Sequence, residues 1–142
     1  MLRETIIAQD DLRRLREEIR EELRLARTRH APLAVLEAKL RNARIVPESQ
    51  IPDDLVTMNS RLWVRDIPTG VPEMVTLVYP LEADLDEGKI SVFSPLGTTI
   101  LGKRVGETVR WCDDEGRHTA TINRLFYQPQ AGAIPFLGAE RR

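Results

Sequence analysis

Cysteine is almost missing from this chain. Cys112 is the single one in 142 residues, which excludes an intramolecular disulfide and any metal centre built from several thiolates. Histidine is nearly as scarce, with only His30 and His118, so no zinc-binding cluster of plausible spacing can be assembled. Aromatic residues make up 5% of the chain and are scattered along it, which argues against an aromatic-lined cavity. No apolar run is long enough to span a membrane, and the opening residues carry no secretion-like stretch, so the expectation is a cytoplasmic protein without membrane association. A net charge of -1 gives no global pull toward nucleic acid.

That small net charge hides an asymmetry. Residues 1–46 hold 11 Lys and Arg against 8 Asp and Glu, whereas residues 47–142 hold 10 against 14. Any attraction to a polyanion would therefore be local to the first part, where interleaving of Arg with Glu instead suits a solvated helix face. Direct DNA binding is expected to be weak or absent. The remaining composition, 42% hydrophobic and 30% charged, is that of a soluble globular protein of one compact domain with an appendage.

The N-terminal part, 1–46, reads as two helices. Thr5 to Ala8 is a short apolar patch, a strand or a lead-in, and Asp10 or Asp11 can cap the helix after it. Leu12, Leu15, Ile19, Leu23 and Ala26 form one stripe along a helix of about five turns. Pro32 breaks the pattern, and Leu33, Leu36, Leu40 and Ala43 make a second, shorter stripe. An antiparallel helical hairpin, a short coiled coil, is expected, with Arg27, Arg29 and His30 at its tip. It either completes the domain, forms a dimer seam or projects as a functional arm. The oligomeric state is not readable from these stripes.

Residues 47–54 read as a linker with two prolines. From 55 to 129 the pattern is that of strands. Leu55 to Asp66 is the longest strand candidate, interrupted by Ser60, and Met74 to Tyr79 is the second. After the acidic loop Pro80 to Gly88, a third strand starts at Ile90. Ser94 is then a helix cap and Pro95 suits the first helical position, with Leu96, Ile100 and Leu101 turned to one side. Gly102 ends this short helix, a fourth strand runs through Trp111, Asp113 to Gly116 is a hairpin turn, and Thr119 to Tyr127 is a fifth strand. Regular pattern fades from Gln128, and 130–142 is expected to be a mobile tail. Five strands with one short helix make an α+β domain with a curved, mostly antiparallel sheet.

The residues offer little catalysis. Gly97 to Arg104 nearly matches a phosphate loop but has Arg104 where a hydroxyl should hold magnesium, and Ile100 and Leu101 are core candidates. Ser94 beside Pro95 reads as a cap, not a nucleophile. The carboxylates at Asp84, Asp86 and Glu87, and at Asp113, Asp114 and Glu115, read as solvated loops. No catalytic residue, cofactor or metal ligand is expected.

Several motifs occur together and in order: Val56-Thr57-Met58-Asn59-Ser60, Thr76-Leu77-Val78-Tyr79-Pro80, the stretch ISVFSPLGTTILGKRVGE from Ile90 to Glu107, and Tyr127-Gln128-Pro129. From Leu55 to Pro129 the chain resembles the Rnk-type relatives of the Gre transcription factors, which carry the label nucleoside diphosphate kinase regulator. The resemblance implies an FKBP-like fold and a partner, the coiled coil of the RNA polymerase β′ subunit at the rim of the secondary channel. Docking would use Phe93, Ser94, Pro95, Leu96 and Gly97. Phe93 stands where some Gre factors have an acid, and it is either an exposed anchor or core. Gre factors also use acidic residues at the coiled-coil tip to hold magnesium and promote transcript cleavage. This chain has no Asp or Glu between Glu22 and Glu37, so the resemblance implies polymerase binding without cleavage stimulation. The alternative is an FKBP-like peptidyl-prolyl isomerase or another peptide-binding module.

Overall fold

The earliest backbone pairing closes the N-terminal region on itself. Strand β1 (Ile6–Ala8) runs parallel to β2 (Arg44–Val46), with Ile6 opposite Arg44 and Ala8 opposite Val46. Parallel strands need a long crossover. Here α1 (Gln9–Leu25) and α2 (Ala31–Asn42) fill it. The structure is a computed structural model and describes residues 4–25 and 31–133. Arg27, Arg29 and His30 lie outside the described residues.

Both apolar stripes are used. Leu15 and Ile19 of α1 and Leu33, Leu36 and Leu40 of α2 are buried, and they join one cluster with Leu62, Leu77, Ile100 and Ile122 of the rest of the chain. Both helices therefore share the domain's core.

Three expectations need correction. Leu55 to Asp66 is not one strand: β3 covers only Arg61–Asp66. Asn59 adopts a left-handed backbone (φ 66°), which Asn tolerates better than most side chains. Thr57 and Ser60 close the turn, the Ser60 N–H donating to Thr57 O at 3.1 Å and the Thr57 N–H to Ser60 Oγ at 2.9 Å. Val56 and Met58 are buried all the same.

The segment 47–54, read as a linker, is tied to both neighbouring parts. Glu48 Oε2 accepts from the Asp10 N–H at 3.1 Å, and Asp54 Oδ1 pairs with Arg104 at 2.8 Å. The chain beyond Gln128 is also held, as far as it is described. Gln128 is fully buried, and β8 (Gly132–Ala133) pairs with β7. The rest of the tail, 134–142, lies outside the described residues.

The main sheet has the order β5-β4-β3-β7-β6, with β8 added on β7. Besides β3 it comprises β4 (Pro72–Val78), β5 (Lys89–Ser91), β6 (Thr108–Asp113) and β7 (Gly116–Gln128). The pairs β3–β4, β3–β7 and β6–β7 are antiparallel, whereas β4 and β5 are parallel, so the sheet is mixed. Register shifts between β3 and β7 next to Arg61 and Trp63 mark bulges, which strengthen the local twist and curl the sheet.

Helix α3 (Pro95–Ile100) lies between β5 and β6 in the chain, with Ile100 and the following Leu101 fully buried. Gly102 follows with φ 81°, and a Cβ there would come within 2.7 Å of Thr5 Cγ2, so glycine lets the lead into β1 cross this corner. Lys39 of α2 fastens the two parts: its Nζ donates to the carbonyls of Thr98 at 2.7 Å, Thr99 at 3.0 Å and Leu101 at 2.7 Å.

Candidate functional site

The corner between β5 and α3 is built by hydrogen bonds among neighbours in the chain. Ser91 Oγ accepts from the Phe93 N–H at 3.0 Å, and Ser91 O accepts from both the Ser94 N–H at 3.0 Å and the Ser94 hydroxyl at 2.6 Å. Ser94 Oγ accepts in turn from the Gly97 N–H at 3.1 Å, and Pro95 occupies the first helical position. The Ser94 hydroxyl is thus engaged as a cap on both sides.

The five corner residues differ in what they expose. Gly97 is buried, and a Cβ there would sit 2.0 Å from Ser91 O, so the helix approaches β5 too closely for any side chain. Phe93 and Leu96 are half-buried and pack against the core cluster. Ser94 and Pro95 are half-buried at the surface of the corner. Phe93 is thus neither fully exposed nor fully in the core.

Two grooves meet at this corner. One, of about 570 Å³, has Val64, Ile90, Leu96, Trp111 and Ala120 as apolar lining and Asp66, Glu73, Asp113 and Glu115 as acids. The other, of about 530 Å³, is lined by Val35, Thr99, Arg110 and Cys112 among others. Pro95, Trp111 and Asp113 line both, so they form the ridge that separates them.

The β6–β7 hairpin supplies the rest. Trp111 lies opposite His118 in the register, and their rings stack at 5.0 Å between centroids, 15° apart in plane. His118 Nε2 lies 2.8 Å from Asp113 Oδ1, and this hydrogen bond holds the Asp113 carboxyl below the usual carboxylate range. Asp66 is lowered too, by hydrogen bonds from the Thr69 hydroxyl at 2.6 Å and the Thr69 N–H at 3.1 Å.

Scarcity of Cys and His hid one arrangement from the sequence. Across the tight turn, donor atoms of Asp113, Glu115 and His118 all lie within 4.8 Å of one another. One imidazole and two exposed carboxylates could hold a divalent cation. The turn itself was legible, but its closeness to Ser94, Pro95 and Leu96 was not, because no local signal links residues so far apart in the chain. Ser94 and His118 line one cleft without forming a catalytic pair: Asp113 holds the imidazole, and the Ser94 hydroxyl donates to Ser91 O.

The phosphate-loop-like segment is also accounted for. Ile100 and Leu101 are fully buried, and the carbonyls of Thr98, Thr99 and Leu101 point to Lys39. Among the described residues the aromatics are not gathered as an isomerase would need. Trp63 and Phe126 pair edge to face at 5.1 Å outside the cleft, where Trp111 is the one Trp, Tyr or Phe in the lining. Among the described residues no helix is long and apolar enough to cross a membrane.

Residues 51–125 match the family model described as transcription elongation factor, GreA/GreB, C-terminal. The chain is 37% identical over 102 residues to the regulator of nucleoside diphosphate kinase of Escherichia coli (strain K12), covering 70% of this chain and 75% of that protein. Transcription elongation factor GreA of Syntrophomonas wolfei subsp. wolfei (strain DSM 2245B / Goettingen) is 40% identical over 74 residues, which is 52% of this chain and 46% of that one. The match to GreA thus spans about half of that protein. A solved structure, the prokaryotic transcription elongation factor GreA/GreB from Nitrosomonas europaea, aligns with a TM-score of 0.73 at 30% identity, covering 87% of this chain and all of that one.

Proposed function

Since the chain belongs to the GreA/GreB C-terminal family of transcription elongation factors, we propose that it is a non-enzymatic transcription regulator that binds RNA polymerase. Docking is at the rim of the secondary channel, on the coiled coil of the β′ subunit, through the corner of Ser94, Pro95 and Leu96. Phe93 and Gly97 shape that corner from beneath. One observation carries this reading: Pro95 stands on a ridge between two grooves, on a rigid turn whose hydrogen-bonding groups are satisfied internally. A preformed surface of this kind orders little on binding and so retains most of its contact energy.

In this reading the domain is FKBP-like, and α1 and α2 form a short antiparallel hairpin packed on it. The tip has no carboxylate between Glu22 and Glu37 with which to hold magnesium, so the protein occupies the channel mouth without stimulating transcript cleavage.

The test is competition with a labelled GreA for bacterial core RNA polymerase, with cleavage of stalled transcripts followed in parallel. Wild type should displace GreA and suppress cleavage, and Pro95→Asp should lose the displacement while keeping its thermal midpoint. Failure of wild type to displace GreA, or equal displacement by Pro95→Asp, would remove the docking assignment.

A further inference from the structure

The corner offers a partner little charge. Phe93 packs against the core, the Ser94 hydroxyl is engaged by Ser91 and Gly97, and Pro95 and Leu96 are apolar. The cleft beside it has what the corner lacks: Asp66, Glu73, Asp113 and Glu115 line it, and among the described residues no Lys or Arg does. Nearby cations are occupied or lie elsewhere. Arg65 donates to Gly70 O at 2.7 Å, Lys89 pairs with Glu87 at 3.3 Å, and Arg110 lines the other groove.

We propose that this cleft is the charged half of the docking surface and takes a basic amphipathic protein segment. Its apolar side would lie on Trp111, Leu96 and Val64, and its Lys or Arg side chains would reach the carboxylates of Asp66, Glu73, Asp113 and Glu115. The inference rests on the docking role of Pro95 for the identity of the partner, and on the cleft alone for the partner's chemistry.

Charge and shape select this occupant. Four carboxylates around an apolar floor repel nucleic acid and acidic helices, and they favour a segment with the opposite pattern. Trp111 forms the wall shared with the Pro95 ridge, so one segment can touch both.

The experiment uses the full chain, isotope-labelled, titrated with a helical peptide of Ala, Leu and Lys, and separately with its Glu-for-Lys counterpart. The Lys peptide should shift the Trp111 indole resonance and leave Trp63 in place, and its affinity should fall as salt rises from about 50 to about 300 mM. The Glu peptide should not bind. Asp113→Asn combined with Glu115→Gln, which keeps an acceptor for His118, should weaken Lys-peptide binding about tenfold and flatten its salt dependence at an unchanged thermal midpoint. Binding of the Glu peptide, an unmoved Trp111 signal, or equal affinity in the double variant overturns the proposal. Core RNA polymerase separates the two ideas. If the peptide results hold but neither Pro95→Asp nor the double variant changes polymerase binding, the docking reading fails and the recognition of basic segments stands.

Discussion

The Lys39 ammonium donates to the Leu101 carbonyl at 2.7 Å, so a side chain of the second helix closes the open end of the third. The last carbonyls of a helix lack partners within it and carry partial negative charge, and a cation placed there satisfies both needs. The same nitrogen reaches the Thr98 and Thr99 carbonyls, which makes it the polar link between α2 and the element that begins with Ser94 and Pro95.

Lys39→Met should therefore cost more than a surface substitution. It keeps the apolar stem and leaves three carbonyls unpaired, and loss of about 2–4 kcal/mol is expected. Urea denaturation of the two proteins at neutral pH measures it, and a cost below about 0.5 kcal/mol would mean that water replaces the ammonium freely.

Two half-buried charges should give stability an unusual pH profile. Asp11 accepts from the Met58 N–H at 3.0 Å, and burial, with Glu48 and Asp10 adding, raises its pKa from 3.8 to about 6. The folded state then binds more protons than the unfolded one between those values, so this group's contribution falls as pH rises from about 4 to about 6. Burial lowers Lys39 from 10.5 to about 7, with Lys103 adding and Glu107 opposing. There the unfolded state binds more protons, and stability rises with pH from about 7 toward 10.5. Both penalties are present together between about pH 6 and 7. Asp11→Asn keeps an acceptor for Met58 and removes the charge, so its stability relative to wild type should improve by about 1–2 kcal/mol between pH 4.5 and pH 7.5, measured by urea melts at the two values.

Gly97→Ala tests the closest approach in the docking corner. The new Cβ would stand 2.0 Å from Ser91 O, a backbone atom that cannot swing aside, so α3 must move off β5. A loss of about 1–3 kcal/mol in unfolding free energy is expected, with shifts of Ser91 and Phe93 amide resonances ahead of those in α1.

Gln128→Leu tests the closure of the chain's far end on its middle. The Gln128 amide donates to Pro52 O at 2.8 Å and Leu55 O at 2.7 Å, and Leu would fill a similar space while leaving those carbonyls unpaired. About 2 kcal/mol should be lost, and hydrogen exchange should quicken first at Leu55 to Ser60, the turn that Gln128 and Gln130 support.

What could be read along the chain was what neighbours decide among themselves. The Ser94 cap, Pro95 at the helix start and the left-handed Gly102 depend on atoms a few residues away, so their chemistry is written locally. The stripes Leu15–Ile19 and Leu33–Leu36–Leu40 were equally plain, because a helix repeats its face over short spans. Family likeness marked Phe93 to Gly97 but could not tell that Gly97 is buried and that Phe93 packs against the core.

Tertiary structure decided the rest. Val56 and Met58 alternate like a strand, yet their segment is held by scattered bonds to Leu77, Lys103 and Gln128 from elsewhere in the sequence, and not by one strand ladder. The pairing of β1 with β2 needed both helices to bring its ends together. The acidic cleft needed β3, β4, β6, β7 and the start of α3 on one side of a curled sheet. Periodicity and capping act within a turn or two of the chain, whereas a binding surface is made where distant segments meet, and only the folded core sets that meeting.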